Sequence, residues 1–500
     1  MTHHDEAVAQ QICANDYLPL NRGLFYAGKW HEPRLGETAE IVSPGTGQSL
    51  GLVAQASSTD VDAAVAAALA AYHDWRRVAP AERAKILRRI AEIVRQNARE
   101  LALLDAIDGG SPVHEMAGDV ANAASQLDFF AGLVTEMKGS SVPLGPDSIN
   151  FSVREPRGVV GRIIPFNHPF MFCAAKSAAP LAAGNTVIVK PPEQAPLSAL
   201  RFAELIGDLL PSGVFSVLPG GRDAGAALVA HRDVAMISLI GSVPAGRAVM
   251  KAAADTIKPL LLELGGKNAL IAMPDADPDE VAAAVVAGMN FTWCGQSCGS
   301  TSRAFIHDSI HDAVVERVKV CVTEFKPGDP TDPATTMGAI ISPVQHAKVM
   351  GFIASAIEEG ATLIHGGKRP DDPKLASGFF LEPTVFAGVT TAMRIAKEEV
   401  FGPVLSILRW SDEPQMLSDV NNIEFGLTCS IWTNDVRKAH QLAADVQAGV
   451  VWINEVSRHF LGAPFGGYKQ SGLGREECLE ELLSYTQEKH VHINLKRPAQ

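Results

Sequence analysis

From residue 151 onward, short apolar runs alternate with longer amphipathic stretches, and this rhythm restricts the possible folds more than any other feature. "GVVGRIIP" is followed by "MFCAAKSAAPLAA", "NTVIVK" by "PLSALRFAELIGDLL", "VFSVLPG" by "DAGAALVAH", and "VAMISLIGS" by "PAGRAVMKAAAD". The short runs suit strands buried on both faces, and the three- and four-residue apolar spacing suits helices packed on them. The alternation predicts parallel sheets with helical crossovers, the α/β class. It resumes after "LLLELGGKNALIAM" with helical "PDEVAAAVVAGMNF", the strand "SRAFIHD" and helical "HDAVVERVKVCVTEF". "VQHAKVMGFIASAIEEG", "VLSILRW", "CSIWTND" and "VWIN" continue the series, giving two α/β units that divide near residue 263.

Upstream, "DVDAAVAAALAAYHDW" and "ERAKILRRIAEIVRQNARELALLDA" read as two helices over 59–106, and "EMAGDVANAASQLDFFAGLVTEM" as a third. "KPGDPTDPATTMG" is a long loop. The tail "EKHVHINL" alternates like an exposed strand, whose unpaired edge would meet another subunit. At 500 residues the chain exceeds one ordinary core. A net charge of −13 argues against a nucleic-acid surface, and no apolar run approaches a membrane span. Seven scattered cysteines, with no basic and apolar leader in "MTHHDEAVAQQICAND", point to a reducing, cytoplasmic setting.

No G-x-G-x-x-G follows any strand. Gly241-Ser242-Val243-Pro244-Ala245-Gly246 takes its place, with Ser242 as a helix cap and Pro244 in the first turn. Such a helix start favours phosphate. Lys190 and Glu193 lie just past the carboxyl end of a buried strand, where ligands of open α/β sheets bind. A carboxylate there can accept from ribose hydroxyls and would repel a 2′-phosphate. In "FTWCGQSCGSTSR", Cys294 and Cys298 admit three readings: a metal site, a redox pair, or one nucleophile with a bystander. Zinc lacks further ligands nearby, and redox pairs use C-x-x-C more often than C-x-x-x-C. Glu263 ends an apolar strand, a setting that raises a carboxyl's pKa toward that of a general base. Asn167, between two prolines, could serve an oxyanion or simply a turn.

"PFNHP", "KPPE", "GSVPAG", "LELGGKN", "GQSCGSTSR", "EEVFGPV" and "PFGGYKQSGLGRE" occur together and in order. Over residues 20 to 495 the chain resembles the aldehyde dehydrogenase superfamily. The resemblance implies a Rossmann-like NAD-binding domain over 18–130 and 153–262, an α/β catalytic domain over 263–475, and a small β oligomerisation arm over 131–152 and 476–497. It also implies Cys298 as nucleophile, Glu263 as general base and Asn167 as oxyanion amide, with Lys176 and Glu476 supporting proton transfer. Cofactor contacts would come from Ile164, Pro165, Phe166, Lys190, Glu193, Gly220, Gly241, Ser242, Gly246, Leu264, Glu399 and Phe401. No metal is implied, and the partner is a small aldehyde with the chain as a homodimer or homotetramer.

The implied reaction runs through a hemithioacetal and a thioester on Cys298, with hydrolysis by a Glu263-activated water. Relatives that transfer the acyl group to coenzyme A lack that base. Glu193 favours NAD over NADP. Phe170, Ala175, Trp293, His459 and Phe465 are the expected pocket residues. Ala175 stands where the family often has Trp, which weakens the case for a betaine-type substrate and favours a medium or bulky, aromatic aldehyde. Phe172 reads as core, and Cys294 as a packing residue. The competing readings are a betaine-aldehyde or semialdehyde dehydrogenase, a thiol esterase, and a non-catalytic homologue.

Overall fold

Val, Ile and Leu dominate the predicted strands, and their branched side chains suit a pleated backbone buried on both faces. The structure, a computed structural model describing residues 17–496, shows two such sheets. In the first, Leu260–Leu264, Val234–Gly241, Val159–Ile163, Thr186–Lys190 and Phe215–Val217 lie side by side and parallel. Antiparallel strands close its two sides: Gly472–Leu473 beside Leu260–Leu264, and Leu24–Tyr26 with Lys29–His31 beside Phe215–Val217. The second sheet runs Thr362–His365, Thr384–Ala387, Val404–Trp410, Arg303–His307, Ala269–Ala272, Thr428–Trp432, Val450–Ile453, with only the first pair antiparallel. The chain passes from one sheet to the other at Gly265–Asn268, and Gly472–Leu473 returns to the first.

Helices cover both sheets with large apolar cores. Residues 59–106 hold three helices rather than the expected two: Ser58–Trp75, Pro80–Gln96 and Ala98–Gly109. The break falls at Asn97, whose Nδ2 donates to the Ile93 carbonyl (2.8 Å) while its backbone leaves helical geometry (φ −109°, ψ 19°). An Asn side chain competing for the backbone of the preceding turn is the physical reason. The tail forms Thr486–Asn494, paired antiparallel with Ser148–Pro156 in a two-stranded ribbon. Ser148–Pro156 passes unbroken through residues 152 and 153. Most of Thr486–Asn494 is exposed. No helix among the described residues is long and apolar enough to cross a membrane.

Candidate active site

Four neighbouring parallel strands of the first sheet end in register: Leu264 opposite Gly241, and Ile163 opposite both Leu239 and Lys190. The residues just past these ends form a row along one edge, where ligands of open parallel sheets bind. Lys190, last of its strand, is buried and donates to the Pro191 carbonyl (3.0 Å); burial lowers its pKa to about 8, against the pull of Glu193. Glu193 is exposed. Ser242 caps Val243–Ala254, accepting from the Ala245 N–H (3.4 Å), and no acidic residue occupies that helix's first turn. A side chain on Gly246 would strike Leu264 Cδ1 at 2.5 Å, so glycine lets this helix sit close on its strand. Gly220 is buried, and a Cβ there would meet Ala224 at 2.6 Å. The donor-rich helix start beside an exposed carboxylate fits a dinucleotide, phosphates at Ser242–Gly246 and ribose at Lys190 and Glu193.

At the seam between the sheets, Glu399 accepts the Gly266 N–H (3.0 Å), and burial raises its pKa. Phe401 has φ +53° and packs edge-on against Phe166 with ring centres 5.7 Å apart. Ile164 continues its strand by donating to the Lys190 carbonyl (3.2 Å), and Pro165 follows it. Glu399 and Phe401 line a small cleft that shares Ser297 with a cavity of about 400 Å³ opening beside Cys298.

Cys298, Glu263, Lys176 and Glu476 line that one cavity. Glu263 is the fourth residue of Leu260–Leu264, among leucines and 4% exposed. Burial, helped by repulsion from Glu476, lifts its carboxyl to about 8. Burial and the facing Glu263 push the Cys298 thiol well above its ordinary value. Glu263 is therefore the stronger acid of the two. Asn268 positions the nucleophile loop, its Nδ2 donating to the carbonyls of Cys298 (2.7 Å) and Ser300 (3.0 Å). Its Oδ1 accepts from the Thr428 N–H (3.0 Å). Asn167 is buried with an unpaired Oδ1, one residue before cavity-lining His168, but does not itself line the cavity.

Behind Glu263 lies a buried ion cluster. Glu476 accepts from Arg162 Nη2 (2.8 Å) and sits 3.2 Å from Lys176 Nζ, with Glu477 3.8 Å away. Burial opposes each charge, but the neighbours outweigh it: Glu476 and Glu477 are held below the usual carboxylate range, and Lys176 above the usual lysine range. Arg162 Nη1 also donates to Tyr485 Oη (3.0 Å), which ties the cluster to the start of the C-terminal strand.

The sequence model of the Aldehyde dehydrogenase family matches residues 30–491. The chain belongs to the aldehyde dehydrogenase family. It is 52% identical over 486 residues to an aldehyde dehydrogenase, tropH, of Talaromyces stipitatus, covering 96% of this chain and 94% of that one. It is 41% identical over 473 residues to a betaine aldehyde dehydrogenase of Brucella melitensis, covering 94% and 97%. An NAD+ complex of an aldehyde dehydrogenase from Bacillus cereus superimposes with a TM-score of 0.93 at 37% identity, covering 96% and 98%. The chain is an oxidoreductase acting on aldehydes.

In this aldehyde dehydrogenase, Trp293, His459 and Phe465 line the cavity as expected from the sequence. Phe170 and Ala175 do not. Both are fully buried in the core, Phe170 against Phe202 (5.6 Å) with its N–H bound to Asp105 (2.9 Å). On helix Pro169–Ala183, Met171, Phe172 and Lys176 line the cavity, and Phe170 lies about 120° round from Lys176 on the opposite side from the other two. Phe172 belongs to the core, as expected, and also lines the cavity. Cys294 is fully buried, its thiol donating to the Gly338 carbonyl (3.0 Å), and burial raises its pKa, which suits packing. The sequence reading missed Asn268 and Asp119; for Asn268 the signal lay in the adjacent glycines of "LELGGKN". A Cβ on Gly266 would meet Asn268 Oδ1 at 2.5 Å and the Cys298 carbonyl at 2.8 Å.

Proposed function

We propose that the chain oxidises an aldehyde to its carboxylic acid with NAD, through a thioester on Cys298. Cys298 releases its thiol proton to solvent, and the thiolate sulfur adds to the aldehyde carbon. The carbonyl oxygen becomes an alkoxide, stabilised by the Cys298 backbone N–H and by the Asn167 amide, which must turn into the cavity from its buried place beside His168, at about 2.7–4 kcal/mol per donor. When bound, NAD supplies the hydride acceptor that takes this carbon to the acid oxidation level. Glu263 then removes a proton from water as that water attacks the thioester, and Lys176 and Glu476 provide the charged surroundings through which the proton leaves.

The observation that carries this reading is the convergence of Cys298, Glu263, Lys176 and Glu476 on one cavity, with Glu263 raised to about 8. A base near the working pH is the one that transfers protons best. Glu193, exposed beside the ribose position, supports NAD over NADP by repelling a 2′-phosphate. The exposed edge of Thr486–Asn494 supports a homodimer or homotetramer built on that strand, which light scattering checks. The test of the function is NADH formation over an aldehyde panel. Wild type forms NADH, and Cys298→Ala forms none while still binding NAD. Residual dehydrogenation by Cys298→Ala would remove Cys298 from its role.

A further inference from the structure

We propose that the cavity selects aldehydes carrying an anionic oxygen, a carboxylate or ionised hydroxyl, on a flat ring, and that His168 and Arg458 read that oxygen. The inference rests on the reading above, in which Cys298 attacks an aldehyde held in this cavity.

Shape comes first. The His168 ring lies 5.4 Å from Phe172 and 5.6 Å from Trp293, and His459 lies 4.5 Å from Phe465. Rings on facing walls favour a planar occupant that stacks on them.

Charge then decides what the plane carries. Three of the four carboxylates on the wall are paired: Asp119 with His168 Nδ1 (2.7 Å), Glu476 with Arg162 and Lys176, and Glu477 with His459 (3.1 Å), while burial holds the fourth, Glu263, toward its neutral form. The donors are not all engaged. Arg458 has no acidic partner and no side-chain acceptor among the described residues; it only overlies Phe460 (5.8 Å). His168 Nε2 has no protein partner among them, while Asp119, outweighing burial, holds the ring's proton more tightly than usual. Two more cavity-lining donors, Trp293 Nε1 and Ser457 Oγ, are buried without an acceptor. Both of those atoms are closed off from solvent, so Arg458 and His168 are the cavity donors left to meet a ligand oxygen. The planar guanidinium of Arg458 matches a carboxylate in two-point geometry, and His168 Nε2 supplies a further donor from the same cavity wall. A quaternary ammonium offers no acceptor and would face the Arg458 guanidinium.

The experiment compares kcat/KM for benzaldehyde, 4-carboxybenzaldehyde, 4-hydroxybenzaldehyde in its ionised form, and 4-(trimethylammonio)benzaldehyde, following NADH with the wild-type full chain. The expected result is a preference of about tenfold or more for an anionic ring over the unsubstituted one, the gain of a hydrogen bond to a charged group, with the cationic ring poorest. The larger of the two anionic values identifies carboxylate or hydroxylate as the oxygen read. Arg458→Met and His168→Phe should each lower the ratio of anionic to unsubstituted kcat/KM. Arg458 is at the surface, so its variant keeps the inference testable if the His168 variant fails to fold. Preference for the cationic ring, or an anionic ratio unmoved by Arg458→Met, overturns the inference while leaving the proposed function standing. Absence of NADH from every aldehyde overturns both.

Discussion

Glu263→Gln separates two consequences of one buried carboxyl. Burial lifts Glu263 from an ordinary 4.5 to about 8. At about 1.4 kcal/mol per tenfold change in proton affinity, its ionised form costs about 5 kcal/mol more than in water. Between pH 4.5 and 8 the folded chain thus holds a proton at this position that the unfolded chain has released, and stability contributed by the neutral acid is lost as pH rises through 8. Glutamine carries no such charge. The melting temperature of Glu263→Gln relative to wild type should therefore climb from pH 6 to pH 9. Turnover should move oppositely. Wild-type kcat, limited by water activation, should rise about tenfold per pH unit below 8 and level above it. The variant should show one burst of NADH per site and then stall. Differential scanning calorimetry and stopped-flow absorbance read the two halves. A variant with wild-type kcat, or a melting difference flat with pH, would refute both the burial argument and the role of Glu263.

Three further substitutions test the supports of the site. Glu476→Gln leaves Lys176 and Arg162 short of a buried counter-charge and should cost about 3–5 kcal/mol, read as a lower urea midpoint; a midpoint equal to wild type would contradict the cluster. Asn268→Ala removes the donor to the Cys298 and Ser300 carbonyls and the acceptor for Thr428. It should lower stability by about 2–3 kcal/mol and reduce kcat, with NAD affinity retained in titration calorimetry. Gly266→Ala forces a Cβ against Asn268 and the Cys298 carbonyl; a displaced nucleophile should lose about a hundredfold in kcat, and wild-type kcat would show that the loop yields.

The parallel strands were legible because strands buried on both faces must read as unbroken apolar runs; "NTVIVK" and "VAMISLIGS" became Thr186–Lys190 and Val234–Gly241. Ser148–Pro156 was not, since an exposed ribbon strand such as "SINFSVREP" has no clean alternation. The motifs named two residues that meet at one cavity: Glu263 near the end of Leu260–Leu264, and Cys298 in the turn ahead of Arg303–His307. Helix rotation is different. Which face of Pro169–Ala183 meets the cavity depends on tertiary packing, so Phe170, expected in the pocket, lies in the core, and Phe172 serves both core and cavity wall. The Asp119–His168 pair joins residues 49 apart on separate elements, and no local pattern announces it.

The central claim is a covalent acyl group on Cys298, and intact-protein mass spectrometry of Glu263→Gln after mixing with NAD and benzaldehyde tests it most directly. The account predicts a benzoyl increment that maps by peptide digestion to Cys298 and is absent from Glu263→Gln/Cys298→Ala. An increment on another residue, or none while NADH accumulates, would contradict it.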